Sequence, residues 1–79
     1  MTHEIQILPS FFKAIIDGRK RFEVRYNRDR GFNAGDTVVF TEIQENIRTG
    51  STITAKIIYV TNYNQPIDWV VFGFELEEK

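Results

Sequence analysis

Apolar and polar residues alternate at the start of the chain, and the period then changes. Ile5 and Ile7 alternate with polar residues within residues 3–8, which is the pattern of a half-buried strand. Pro9 suits the first turn of a helix, and Gly18 suits a helix C-terminal cap. Between them, apolar residues recur on one helical face: Phe11, Phe12, Ile15 and Ile16. The first 18 residues therefore predict a strand followed by a short helix that ends at Gly18.

Alternation returns directly after Gly18. Phe22 and Val24 share one face of the predicted strand, and Arg21, Glu23 and Arg25 share the other. Because apolar strand faces normally pack on a core, we expect Phe22 and Val24 to be buried and the charged face to be solvated.

Three more segments are predicted strands: residues 37–43, 51–60 and 69–76. Residues 26–33 and 61–68 read as polar loops, residues 34–36 and 44–50 as turns. In the segment 51–60, the alternation places four residues on one face: Ile53, Ala55, Ile57 and Tyr59. In the segment 69–76, Val71 alternates with Phe72 and Phe74.

Five strands and one helix in 79 residues predict a single domain over residues 1–79, mainly β with one N-terminal helix. A flat sheet with one helix would leave an apolar face in water. The expected architecture is therefore a largely antiparallel sheet that curls into a small five- to six-stranded β-barrel, with an open α+β sheet as the alternative.

Composition excludes several classes of site. The chain has no cysteine and a single histidine, His3, so we expect neither a disulfide framework nor a zinc site, and no cofactor. No apolar run approaches the ~20 residues that span a bilayer, and the N-terminus lacks the pattern of a signal peptide. The expectation is a soluble cytoplasmic protein with no membrane partner.

Positive charge is concentrated in one segment. Residues 18–30 carry six basic and two acidic side chains, whereas the remaining residues carry four basic and nine acidic ones. A basic segment on an acidic body favours local recognition of an anion such as phosphate or a phosphodiester. The alternative is a solvated charged strand whose ion pairs contribute little.

Four residues of this segment are candidates for ligand contacts: Lys20, Arg21, Glu23 and Arg25. The guanidinium groups of Arg21 and Arg25 could bind phosphate bidentately or stack on a base. Glu23 lies between two arginines, so its carboxylate could accept hydrogen bonds from a base, or could merely neutralise its neighbours. Lys20 is two residues before Phe22, so the alternation puts its side chain on the same face as Phe22 and Val24, the face expected to pack on the core. Its ammonium must therefore extend to the edge of the barrel to reach water. There it could cap the helix carbonyls or line the mouth of the barrel and meet an anion.

The other candidates each have a structural alternative. Arg28 and Arg30 lie in a loop of mixed donors and acceptors, which is typical of solvated turns and also of phosphate-contacting loops. His3 could shuttle protons, but a lone histidine is more often a surface or strand-packing residue. Three aromatic residues could stack on bases or belong to the core: Tyr59, Tyr63 and Trp69.

A family resemblance follows from the same segment. Gly18-x-Lys20-x-Phe22-Glu23-x-Arg25 resembles the G-x-K-x-x-E-x-R signature of the ASCH domain (activating signal cointegrator homology) of the PUA-like superfamily. Nearly the whole chain is similar to its short bacterial and phage members, whose function is uncharacterised. The resemblance implies a β-barrel with a ligand-binding cleft and an association with RNA. It also implies that Lys20, Glu23 and Arg25 line the cleft and that Gly18 shapes its entry.

Some ASCH-like proteins are enzymes, namely ribonucleases and amidohydrolases that act on acetylated cytidine. The amidohydrolases are similar at Gly18, Arg19, Lys20 and Arg25 but carry threonine where this chain has Glu23. That difference removes a candidate nucleophile. We therefore expect an RNA-binding module that recognises RNA or a nucleotide. The alternatives are a small hydrolase of RNA or of a modified nucleoside, and a protein-interaction domain.

Overall fold

The fold was obtained as a computed structural model, which describes residues 1–77. Its elements are β1 (Thr2–Ile7), α1 (Pro9–Ile16), β2 (Phe22–Tyr26), β3 (Thr37–Gln44), β4 (Ile47–Thr61) and β5 (Trp69–Leu76). The five strands form one sheet in the order β1-β3-β4-β5-β2, and this sheet curls into a half-barrel. The prediction of a mainly β fold with one N-terminal helix is confirmed.

Strand pairing shows which strands form the two edges of the sheet. β1 pairs with β3 in parallel, and the pairs β3–β4, β4–β5 and β2–β5 are antiparallel. The sheet is thus largely antiparallel, as predicted, and only the β1–β3 pairing among residues 1–77 is parallel. Because β1 and β2 are the two edges of a curled sheet, they lie on either side of its open seam.

The helix packs its buried residues, Phe12 and Ile15, under this sheet and ends in a Schellman motif. The Gly18 amide donates to the Ile15 carbonyl at 3.1 Å, and the Arg19 amide donates to the Ala14 carbonyl at 3.0 Å. Gly18 has a φ of +81°, a conformation that glycine adopts without a Cβ penalty. The motif turns the chain from the helix toward β2.

The core lies between the helix and the concave side of the sheet. Its aromatic rings are in contact, with centroid distances of 4.9 Å for Phe40–Phe74 and 5.0 Å for Phe32–Phe72. The buried apolar residues are Ile5, Ile7, Phe12, Ile15, Phe32, Val38, Phe40, Ala55, Ile57, Val70, Phe72 and Phe74. The alternation predicted for β1 and β5 is confirmed, because Ile5 and Ile7 of β1 and Phe72 and Phe74 of β5 are buried.

The expected orientation of β2 is wrong. Glu23 is buried, with 6% of its surface exposed, whereas Phe22 and Val24 are 52% and 43% exposed. β2 is an edge strand at the seam, so its inner side faces a cavity beside the core. Cations there compensate the carboxylate, and the apolar side chains stay on the outside.

Two other local predictions fail for reasons of backbone geometry. The turn expected over residues 44–50 is only Glu45-Asn46, both with positive φ, and β4 already begins at Ile47. Residues with positive φ at both central positions form a two-residue hairpin turn. In β4, the register shifts between Ile57 and Tyr59, so Tyr59 leaves the buried face and is exposed.

No helix in residues 1–77 is both long enough and apolar enough to cross a bilayer.

Candidate functional site

A cavity of about 290 Å³ opens at the seam between β1 and β2. The end of β1 and the start of the helix form one wall, and the chain from Lys20 to Arg25 forms the other. We call this space the Glu23 cavity, and its lining residues are Gln6, Ile7, Leu8, Phe11, Lys20, Glu23, Val24 and Arg25. The cavity therefore combines an apolar wall with a group of charged side chains.

Glu23 is the buried charged group of this cavity. Its Oε2 accepts a hydrogen bond from Arg25 Nε at 2.7 Å. Its Oε1 lies 2.8 Å from Lys20 Nζ, but the approach is not aligned as a hydrogen bond, and Oε1 has no hydrogen-bond partner in residues 1–77. A buried carboxylate oxygen without an aligned donor is costly in a folded protein. Oε1 is itself covered, with Lys20 Nζ 2.8 Å away, so a ligand donor would satisfy it by displacing the Lys20 ammonium.

Lys20 is held at the mouth of the cavity by a hydrogen bond and two cation–π contacts. Its ammonium donates to the Phe22 carbonyl at 2.9 Å and lies 4.6 Å from the centre of the Phe22 ring. The Phe11 ring is 5.6 Å away on the other side. Cations over aromatic faces are attracted by the ring quadrupole. Of the two roles predicted for Lys20, it takes the position at the barrel mouth, and its side chain does not cap the helix.

Arg25 links the two edges of the sheet. Its Nε is bonded to Glu23, while its Nη2 lies 3.5 Å from the Gln6 carbonyl of β1. Arg30 makes a similar link, since its Nη2 donates to the Glu4 carbonyl at 2.7 Å and its guanidinium lies 5.0 Å from the Phe32 ring centre. These two arginines therefore bridge the seam, which no strand pairing closes in residues 1–77.

The other predicted site residues do not line this cavity. Gly18 acts through the turn that precedes Lys20, and Arg21 is exposed with its Nε donating to the Gly18 carbonyl at 3.3 Å. Arg28 lines a separate polar cavity with Asn62, Gln65 and other loop residues. The basic segment is therefore divided among several surfaces, and of the predicted set only Lys20, Glu23 and Arg25 line the Glu23 cavity.

His3 packs inside the structure, as expected for a strand-packing residue. Its ring lies 4.6 Å from that of Phe32, and its Nε2 donates to Asp36 Oδ2 at 2.9 Å. This hydrogen bond, together with the backbone amide of Asn33, lowers the pKa of the Asp36 carboxyl. His3 lies outside the Glu23 cavity, and its contacts fix the loop before β3.

Sequence reasoning missed the wall of the cavity that β1 and the helix start provide: the apolar residues Ile7, Leu8 and Phe11, with Gln6 beside them. Leu8 and Phe11 are each about half exposed although the helical pattern assigned Phe11 to the packed face. The signal that could have found them is a helical apolar face wider than a short helix can bury. Its excess residues lie at the helix start, beside the seam.

Comparison with known proteins places the chain in a family. Residues 2–74 match the family described as a domain of unknown function, DUF3850. The chain belongs to this DUF3850 family. It is also similar to a curated relative, an uncharacterised 12.9 kDa protein encoded in the 3′ region of GpA in Escherichia phage P2. The two are 32% identical over 68 residues, which is 86% of this chain but 59% of the phage protein.

Proposed function

We propose that this DUF3850 domain is a binding module for RNA or a nucleotide, and that the ligand enters the Glu23 cavity. The observation that carries the proposal is the buried Glu23 carboxylate, whose Oε1 has no aligned donor in residues 1–77 and which lies between Lys20 and Arg25. A carboxylate accepts hydrogen bonds from the amino and imino groups of a base, while Lys and Arg bind phosphate.

The shape and composition of the cavity support the same ligand class. Its volume of about 290 Å³ is at the small end of ligand sites, which suits one base or nucleotide. Leu8 and Phe11 offer apolar surface to the faces of a ring. A planar, partly polar ligand that carries a negative charge matches each of these features.

The resemblance to the ASCH signature also supports the proposal. Its lysine, glutamate and arginine correspond to Lys20, Glu23 and Arg25, and these three side chains line one cavity. We therefore also propose that the domain is of ASCH type within the PUA-like superfamily. Under that proposal, Gly18 acts by setting the turn that brings Lys20 to the mouth of the cavity.

The direct test is an NMR titration of the ¹⁵N-labelled protein with nucleoside monophosphates and short single-stranded RNAs. We expect saturable shifts at residues 6–8 and 20–25. Glu23→Gln and Lys20→Gln should each weaken binding by about tenfold or more, because each removes a charged hydrogen-bond partner. Glu75→Gln and Lys56→Gln are matched controls, since both residues are exposed on strands away from the cavity. Shifts that avoid the cavity would contradict the proposal.

Hydrolysis is the second candidate, because Lys20 Nζ and Glu23 Oε1 are 2.8 Å apart and such a pair can transfer protons. Incubation with short RNAs and acetylated nucleosides, followed by separation of the products, distinguishes the two. Turnover that is lost in Glu23→Gln would favour an enzyme. Saturable binding without products favours a binding module. Neither binding nor turnover would favour a protein-interaction domain.

A further inference from the structure

A second cavity adjoins the Glu23 cavity along β2. Its volume is about 430 Å³, and it is lined by Val24, Arg25, Tyr26, Asp29, Arg30 and Trp69. We call it the aromatic cavity, because Tyr26 and Trp69 meet there edge to face with ring centres 5.7 Å apart. Val24 and Arg25 line both cavities, so the two are neighbours on one surface.

Where the cavities meet, the edge of β2 that faces away from β5 has no strand partner among residues 1–77. The Phe74 amide donates to the Arg21 carbonyl at 3.1 Å, and the Asn27 amide donates to the Asp68 carbonyl at 2.7 Å. Hydrogen-bonded pairs alternate along an antiparallel ladder, so the odd-numbered residues of β2 bond to β5. The amide and carbonyl of Val24 therefore point to the free edge of β2, the same edge at which the Phe22 carbonyl accepts its bond from Lys20.

The aromatic cavity has the chemistry of a second nucleotide site. Tyr26 and Trp69 are 44% and 38% exposed, so ring surface is available for a base to stack on. Arg25 and Arg30 supply positive charge for a phosphate, and Asp29 supplies an acceptor for a ribose hydroxyl or a base amino group. The unpaired Val24 amide lies between the two sites, where a linking phosphate could accept its hydrogen bond.

We propose that the ligand is a single-stranded RNA that occupies both cavities with consecutive nucleotides. One base enters the Glu23 cavity, the next stacks on Tyr26 and Trp69, and the phosphate between them lies at Val24 and Arg25. This proposal rests on the proposed function, since it assumes a nucleotide in the Glu23 cavity. It adds that the domain distinguishes a linked pair of nucleotides from a single one, and an unstacked strand from a duplex.

Trp69 provides the readout, because it is the single tryptophan of the chain. Its fluorescence is followed while the protein is titrated with nucleoside monophosphates, dinucleotides, single-stranded hexamers and a duplex of the same sequence. We expect dinucleotides to quench Trp69 and to bind about 5- to 150-fold more tightly than monophosphates, which is the range for stacking one further base. The duplex should not compete with the single strand.

Tyr26→Leu separates this proposal from the first one. It keeps apolar bulk but removes the ring, so it should reduce the dinucleotide affinity to that of a monophosphate, while the monophosphate shifts at residues 6–8 should still depend on Glu23. Tyr63→Leu is the matched control, because Tyr63 is exposed on the loop before β5 and does not line the aromatic cavity. An ¹⁵N NMR spectrum of each variant reports whether the fold is retained.

The outcomes are distinguishable. If monophosphates bind in a Glu23-dependent way but dinucleotides gain nothing and leave Trp69 unquenched, the second site is refuted and the first stands. Equal competition by the duplex would also refute the second site. If neither monophosphates nor single-stranded RNAs bind, both proposals are refuted together.

Discussion

Glu4 shows how the ionisation of one residue depends on a distant strand. Its carboxylate is bonded to the Arg48 guanidinium of β4 and accepts a hydrogen bond from Thr41 Oγ1 at 2.8 Å. The Arg48 bond, followed by that from Thr41, lowers the pKa of Glu4 to about 2. Glu4 is partly exposed, so solvent screening limits what this pair contributes to stability.

We expect the contribution of Glu4 to stability to be complete above pH 4.5 and to disappear as the pH falls toward 2, because the folded state holds this carboxyl with the lower pKa. An NMR titration of the Glu4 side chain should give a midpoint near 2. Arg48→Met should raise that midpoint toward 4.5, the ordinary value, and Lys56→Met should not change it. An unchanged midpoint in Arg48→Met would contradict the assignment.

At the scale of elements, β2 gives a stability prediction opposite to the one that alternation alone suggests. Phe22 is half exposed, so Phe22→Ala should cost only about 1 to 2 kcal/mol, which covers partial burial and the contact with Lys20. Phe72 is fully buried on the paired strand, and Phe72→Ala should cost about 3 to 5 kcal/mol. Thermal melts of the two variants check the order, and equal losses would refute the observed face of β2.

The turn after the helix gives a second prediction at this scale. Gly18→Ala should destabilise the fold by about 1 kcal/mol or more, because alanine is disfavoured at a φ of +81°. Gly73→Ala is the control: its φ is not in the left-handed region, and an added Cβ would be 3.7 Å from the nearest atom, the Arg21 carbonyl oxygen. We expect this control to lie within about 0.5 kcal/mol of the wild type. Urea unfolding measures both, and equal values would contradict a special role for the turn.

The sequence predicts the elements of this fold better than their orientations. The helix, its end at Gly18 and the buried residues of β1 and β5 follow from local periodicity, which depends on neighbours along the chain. The buried face of β2 depends on a cavity, on Lys20 and on the edge position of the strand, which are tertiary facts. The register shift at Ile58 in β4 also depends on tertiary structure, because an alternating sequence pattern does not mark where a strand shifts its register.

The candidate site was predicted in part for a related reason. Lys20, Glu23 and Arg25 stand close together in the sequence, so one motif contains them. The opposite wall comes from Gln6 to Phe11, and the contact between the two walls exists only once the sheet has curled. The sequence groups Arg21 and Arg28 with the site because it shows that they are basic and nearby, but it does not show which surface each side chain faces.

For the whole molecule, the division of the basic segment sets the expected response to salt. The chain has a net charge of −1, so attraction to a nucleic acid must come from local cations. Three of these line the two cavities: Lys20, Arg25 and Arg30. If each neutralises one phosphate of a single strand, log affinity should fall against log salt with a slope of about −2.1.

That slope corresponds to a loss of about 18-fold in affinity between 50 and 200 mM salt. Fluorescence titrations with a single-stranded hexamer measure it. Arg30→Gln should make the slope shallower by about 0.7, and Arg28→Gln, which removes a cation of the separate polar cavity, should leave it unchanged. An affinity that does not respond to salt would contradict the role of these cations.

The position of β2 in the sheet has a consequence for the order of assembly during synthesis. β2 pairs only with β5 among the strands of residues 1–77, although 42 residues separate Tyr26 from Trp69 in the chain. Pairings this distant in sequence form late and slowly. During synthesis, every residue that lines the Glu23 cavity is therefore made well before β5, the strand with which β2 pairs. A nascent chain that stops before Trp69 would contain the whole signature and have no cavity.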